Sequence, residues 1–162
     1  MIAGILLAYC ACASALDPSL DISQYAHTSW KIRDGFFKGT IRSIAQTSDG
    51  LIWLATEFGL LRFDGVKAIP FQPPGQALPS NDVVNVLGSS DGTLWIGTAA
   101  GLYRFDGIKF EPYRPREGRY PNATVYALKA QPGGGLWIGW QQTGASFLKD
   151  GVLTNYGGPE AL

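Results

Sequence analysis

One stretch of this chain is written three times. Residues 41–71 (IRSIAQTSDGLIWLATEFGLLRFDGVKAIPF) and 83–113 (VVNVLGSSDGTLWIGTAAGLYRFDGIKFEPY) align without a gap at an offset of 42. Asp49 falls on Asp91, Trp53 on Trp95, Gly59 on Gly101, and Arg62-Phe63-Asp64-Gly65 on Arg104-Phe105-Asp106-Gly107. A third copy covers residues 125–156, where Trp137 again lies 42 after Trp95. In that copy Gly144 comes one place late and Asp150-Gly151 two places late. A period of this size means that each copy is one supersecondary unit. Such a unit cannot bury its apolar face alone and must stack on its neighbour.

Each unit reads as four short strands. Ile41, Ile44 and Ala45 begin the first, over Ile41 to Thr47. Asp49-Gly50 is a turn pair, because Gly accepts positive φ and Asp bonds its own backbone. Leu51 to Ala55 is apolar and aromatic, as a strand buried on both faces requires. Gly59 turns the chain, Leu60 to Phe63 forms the third strand, Asp64-Gly65 turns it again, and Val66 to Phe71 forms the fourth. Four antiparallel strands in about 40 residues are a β-propeller blade. The expected fold is therefore all-β, with about three four-stranded antiparallel blades (41–71, 83–113, 125–156) in an incomplete ring. The composition agrees: 21 glycines, 12% aromatic and only 16% charged residues favour strands and tight turns over helices. Pro-rich polar linkers, 72–81 and 114–122, join the outer strand of one blade to the inner strand of the next.

The ends read differently. Ile2 to Leu16 carries no charge, and Ala13-Ser14-Ala15 is the small-x-small pattern of a signal peptidase site. Residues 1–15 are thus expected to be a signal peptide cleaved before Leu16, although the first basic residue is as late as Lys31. The run is too short for a membrane span of about 20 apolar residues. Cys10 and Cys12 both lie in it, so the mature chain would hold no cysteine. In the lead-in, 16–40, Ile22 to Trp30 aligns with Phe63 to Phe71 and so fits a lone fourth strand of the kind that closes a ring. Residues 157–162 resemble the start of another linker. The chain is expected to be an N-terminal fragment whose further blades and output domains lie beyond it.

The blade core is Asp-Gly, two residues, Trp-(Ile/Leu)-(Gly/Ala)-Thr, then Gly-Leu, two residues, Phe-Asp-Gly. It stands at Asp49–Gly65 and Asp91–Gly107, with a diverged copy at Gly134–Gly151 where Trp140 replaces Thr. This core resembles the two-component regulator propeller repeat. The opening Tyr25-Ala26-His27-Thr28-Ser29-Trp30 resembles the lead-in of such proteins. The resemblance implies a periplasmic sensor region whose output, elsewhere in the protein, is a histidine kinase, a diguanylate cyclase or a DNA-binding regulator.

The residues offer little catalytic chemistry. Thirteen basic and thirteen acidic residues give a net charge of zero, which argues against nucleic acid and, once the leader is gone, against a membrane surface. Each Asp-Gly pair supplies too few oxygens for calcium, and Ser89 to Trp95 lacks the spacer residue of a sialidase Asp-box. His27, the single histidine, sits in an expected strand rather than on a phosphoacceptor helix. With no other histidine and no mature cysteine, no zinc site is expected. No cofactor and no catalytic residue is assigned. A propeller enzyme acting on polysaccharide, a lyase or a glycosidase, is the alternative, and a protein-interaction scaffold is another. The inner strands Ile41–Thr47, Val83–Ser89 and Val125–Ala130 contain no Asp or Glu, against the enzyme. Trp53, Trp95 and Trp137 are expected to pack between sheets. Binding residues concentrate on loops that vary over a rigid scaffold. The loop between second and third strands varies most. A small-molecule or glycan ligand is therefore expected at Glu57, Gln141 and Gln142, with Trp140 as an aromatic stacking partner.

Overall fold

The computed structural model describes residues 29–31, 38–73, 76, 78 and 80–157. The leader, its cleavage site, His27 and all but the last two residues of the strand expected at Ile22 to Trp30 lie outside them. Lys31–Leu162 form one unit and Met1–Trp30 another. Among the described residues there is no helix.

Twelve strands make three antiparallel sheets of four. The first holds β1 (Ile41–Gln46), β2 (Ile52–Thr56), β3 (Gly59–Phe63) and β4 (Ala68–Pro70) in that order. The second holds β5 (Val83–Gly88), β6 (Leu94–Thr98), β7 (Gly101–Phe105) and β8 (Phe110–Pro112). The third holds β9 (Val125–Ala130), β10 (Leu136–Trp140), β11 (Gly144–Lys149) and β12 (Val152–Tyr156). The innermost strands meet, β5 against β1 and β9 against β5, so the sheets fan outward from that edge as propeller blades do.

Alternation along β2, β6 and β10 builds the layers between blades. Trp53 and Ala55 face forward onto the second blade, where Val83, Val86, Leu94, Ile96 and Phe105 receive them. The Trp53 ring lies 4.8 Å from Phe71 and 5.7 Å from Phe105, edge-on to both. Its Nε1 donates to Thr47 Oγ1 at 2.9 Å, so the one polar atom of the indole is satisfied inside the core. The second interface repeats the plan with Leu136, Ile138, Leu148 and Leu153 packed behind Trp95 and Tyr113. Trp137 also faces forward, stacked on Phe147 at 4.8 Å and Tyr156 at 5.5 Å, and stays half-buried.

Asp side chains set the hairpins. Asp64 accepts the amides of Val66 and Lys67 at 2.9 and 2.8 Å, and Asp106 accepts those of Ile108 and Lys109, both at 3.0 Å. Each Asp thereby closes a four-residue loop, Phe63 pairing with Ala68 and Phe105 with Phe110. This is why the fourth strand starts at Ala68 rather than at Val66, as the sequence suggested: Val66 and Lys67 are spent on the turn. In the third blade Lys149 pairs with Val152, and Asp150-Gly151 alone makes the turn, both at positive φ, 49° and 78°.

The amides of Lys67 and Lys109, chiefly, hold the Asp64 and Asp106 carboxyls below their ordinary value of 3.8. The Thr47 hydroxyl does the same for Asp49, and the Thr93 amide for Asp91. A depressed carboxyl adds stability that is complete above its unfolded value and is lost as pH falls through the folded one. Stability is therefore expected to be flat down to about pH 5 and to fall below about pH 4. The fall should be shallower in the Asp64→Asn/Asp106→Asn double variant. Urea unfolding across this range checks it; equal falls in both proteins would contradict the turn assignment.

A threonine locks the next hairpin in two blades. Thr98, fully buried, donates from Oγ1 to Gly101 O at 3.0 Å and accepts the Ala100 amide at 3.0 Å; Thr56 does the same with Gly59 and Phe58, at 2.8 and 3.1 Å. Thr98→Val keeps the shape but leaves both groups without that partner, and is expected to cost about 1–2 kcal/mol in chemical denaturation. A variant as stable as the parent would show the hydroxyl to be dispensable. In the third blade Trp140 takes the threonine position, the lock is gone, and the loop gains a residue: Trp140 pairs with Gly144, whereas Thr98 pairs with Gly101.

Candidate functional site

Each inner strand carries one extra residue. Ile41 pairs with Thr56 and Ser43 with Ala55, leaving Arg42 bulged. Val83 and Asn85 pair with Thr98 and Gly97, leaving Val84 bulged. Val125 and Ala127 pair with Trp140 and Gly139, leaving Tyr126 bulged. A bulge turns a side chain away from the pleat and recurs beside functional sites. Here the bulges fall 42 residues apart, and all three side chains line one groove of about 660 Å³ at the starting ends of the inner strands. That volume is within the range of about 300–1,000 Å³ typical of small-molecule sites.

Residues from all three blades complete the groove. Asp82, just ahead of β5, forms an ion pair with Arg42. Glu57 adds a second carboxylate 3.9 Å from Arg42 Nε, and its Oε1 accepts the Thr40 amide at 3.1 Å. Asn85, Thr124 and Gln141 supply neutral donors and acceptors. The Gln141 amide bonds Thr124 O at 2.9 Å, which ties its loop to the mouth of β9. Tyr126 leaves 64% of its surface exposed.

The four residues singled out from sequence separate. Gln141 lies in the groove, and Glu57 stands behind Arg42 at its rim. Gln142 is exposed at positive φ, 62°, and does not line the groove. Trp140 is not an exposed stacking residue: it is 5% exposed, inside the layer between the second and third blades. Its Nε1 donates to Ser146 Oγ at 2.7 Å, and Tyr120 packs 5.4 Å away. Burial pushes the Tyr120 hydroxyl well above the usual phenol range. The reason is parity. Trp140 follows Trp137 by three, so it points to the opposite face of the strand and into the core. Ser146, in the position of Tyr103, makes room for the larger ring. Sequence reasoning missed Arg42, Asp82 and Tyr126. Its count of acids stopped at Val83, one residue past Asp82.

Residues 35–58 and 77–100 match the family model described as two component regulator propeller. No curated protein matches the chain. Among solved structures, the extracellular domain of BT3049 from B. thetaiotaomicron, described as a hybrid two component system, is similar with a TM-score of 0.64 at 24% identity. That alignment covers 80% of this chain and 20% of that one. The extracellular domain of BT4673 from the same organism, also described as a hybrid two component system, gives 0.61 at 23%, over 75% and 17%. Virginiamycin B lyase from Staphylococcus aureus gives 0.54 at 19%, over 74% and 41%. At these identities the likeness is one of fold, and the chain spans about a fifth of the first of these and less than half of the lyase. The family model thus places two-component regulator propeller repeats at residues 35–58 and 77–100, within the first two of three blades that share the fold of these extracellular domains.

Proposed function

We propose that this chain is a non-catalytic, ligand-sensing segment of a two-component signal-transduction protein, exported to the periplasm by its apolar leader. Its output would be a histidine kinase or a diguanylate cyclase carried by other sequence. The observation behind this reading is the ring of bulges: three copies of one strand break register at the same place and aim three different side chains, Arg42, Val84 and Tyr126, into one groove. A scaffold that repeats its core and varies its bulges is suited to recognition.

The likeness of fold to virginiamycin B lyase keeps an enzyme as the second reading. Against it, the two carboxylates beside the groove, Asp82 and Glu57, are both engaged with the Arg42 guanidinium, so neither stands alone at the cavity wall as a general acid or base would. A thermal-shift screen of small metabolites and saccharides on the full chain separates the two. The sensor reading expects a compound that raises the melting temperature, is recovered unchanged, and has no effect on the Arg42→Ala variant. Recovery of a cleaved or eliminated product would favour the lyase, and stabilisation that survives Arg42→Ala would remove the groove from the account.

A further inference from the structure

The two layers between blades share a plan but not a filling. In the first, Phe71, Phe105 and Phe110 close a cluster with Trp53 at ring separations of 4.8 to 6.0 Å. In the second, Trp95 and Tyr113 keep their places, 4.9 Å apart. Leu148 and Leu153, however, hold the register positions of Phe105 and Phe110. Two leucines fill less than two phenylalanines, and a cleft of about 300 Å³ is left against Trp95. It lies at the finishing ends of β5 and β9, the opposite end of the strands from the groove. Its volume is at the lower end of the range of about 300–1,000 Å³ for small-molecule sites. Trp95 is accordingly half-buried, where Trp53 is 3% exposed.

The indole donor differs as well. Trp53 Nε1 bonds Thr47 and Trp137 Nε1 bonds Gln131, in each case the residue six places earlier. In the second blade that place is Ser89, whose hydroxyl faces the Asp91 carboxylate, and among the described residues Trp95 Nε1 has no acceptor. An indole N–H so placed calls for one. Below it the floor is apolar, made of Leu87, Leu136 and Leu148. The mouth is charged. Asp91, Asp150 and Lys149 line it, and Arg116 is fixed beside them through a bond to Asp150 O. Among the described residues none of these four side chains joins an ion pair. Two acids and two bases leave the mouth neutral in sum with both signs on offer. A lone ammonium would meet Lys149 and Arg116, and a lone carboxylate would meet Asp91 and Asp150. A zwitterion satisfies both, through the stronger, charge-assisted kind of hydrogen bond.

We infer that this cleft is a second binding site, for a free α-amino acid with an apolar side chain. The side chain lies against Trp95 over the leucine floor, in the space that phenylalanines fill in the first layer. The carboxylate accepts from Trp95 Nε1 and Lys149, and the ammonium donates to Asp91 or Asp150. The walls come from the second and third blades, so the ligand ties one blade to the next. The site is separate from the groove and does not depend on what the groove binds.

The test is calorimetric titration of the full chain with the common free amino acids. Leucine, isoleucine, methionine and phenylalanine are expected to bind, and aspartate, glutamate, lysine and arginine are not. N-acetylation removes the ammonium and amidation removes the carboxylate. Each is expected to weaken the tightest binder by about tenfold or more, the size of one lost hydrogen bond to a charged group. Leu148→Phe restores the ring of the first layer, fills the cleft and is expected to abolish binding. Lys149 is exposed, so Lys149→Met should melt with the parent and still weaken binding by about tenfold. If Leu148→Phe does not fold, Lys149→Met decides. Arg42→Ala, at the far end of the strands, should bind as the parent does. A series with no binder overturns the inference. So does a binder that tolerates both capping changes, one that Leu148→Phe or Lys149→Met retains at full strength, or one lost in Arg42→Ala. Run on Leu148→Phe, the metabolite screen above reads the groove alone, so the groove and the cleft fail separately.

Discussion

Trp53→Ala is expected to remove about 4 kcal/mol of stability, the range for a fully buried aromatic in a core that cannot collapse around the gap. Trp53 is 3% exposed and wedged between Phe71 and Phe105, which also touch each other at 5.2 Å. Deleting the indole opens the layer between the first two blades and takes away the donor that bonds Thr47. Trp137 holds the same place in the repeat but is only half-buried, and its Nε1 bonds the exposed Gln131 at 3.0 Å. Trp137→Ala is therefore expected to cost about 1–2 kcal/mol, as partial burial implies. Urea unfolding of the two variants measures the difference. Equal losses would mean that the blades do not stack in the order described. Since most domains are stable by only about 5–15 kcal/mol, the first substitution brings the chain close to unfolding and the second does not.

Gly88→Ala is expected to cost about 3 kcal/mol, at the upper end for overpacking. A Cβ at Gly88 would lie 2.2 Å from Gln46 O and 3.0 Å from Gln46 C, both backbone atoms of the neighbouring inner strand. No rotamer relieves that contact; β1 and β5 must part. Gly107 is the contrast. Its φ is +96° and a Cβ there meets nothing within 4 Å, so Gly107→Ala carries only conformational strain, about 1–2 kcal/mol. Thermal and urea unfolding of both variants check the ranking. If Gly107→Ala proves the more damaging, the close approach of the inner strands is wrong.

The fold was legible because its determinants are local and copied. Trp, Asp-Gly and Gly recur at fixed places in each unit, and each has a reason that needs no long-range knowledge: a ring to fill the layer, a turn to close, a positive φ to reach. The late Gly144 in the third copy was also readable; its offset reflects the one residue gained by the loop between Trp140 and Gly144, where Trp140 replaces the locking threonine. The groove was hidden because a bulge is a property of two strands. Nothing within Ile41 to Gln46 says that Arg42 will be left unpaired; only its pairing with Ile52 to Thr56 does. Asp82 was overlooked because it stands outside the strand it serves. Trp140 was misplaced although the parity that buries it was there to be counted, three residues from Trp137.

The central claim is that this propeller reads a ligand for a signalling output and does no chemistry on it. The most direct measurement is genome-wide expression in the native cell. A strain with the native gene is compared with one carrying Arg42→Ala and Tyr126→Ala at the chromosomal locus, with the rest of the protein intact. Cultures are grown with and without the compound that binds the groove. The account predicts that a defined set of genes responds to the compound in the first strain and no longer does in the second, while the compound is consumed at the same rate in both. Unchanged expression in the variant, together with slower consumption of the compound, would contradict it and make the groove an active site.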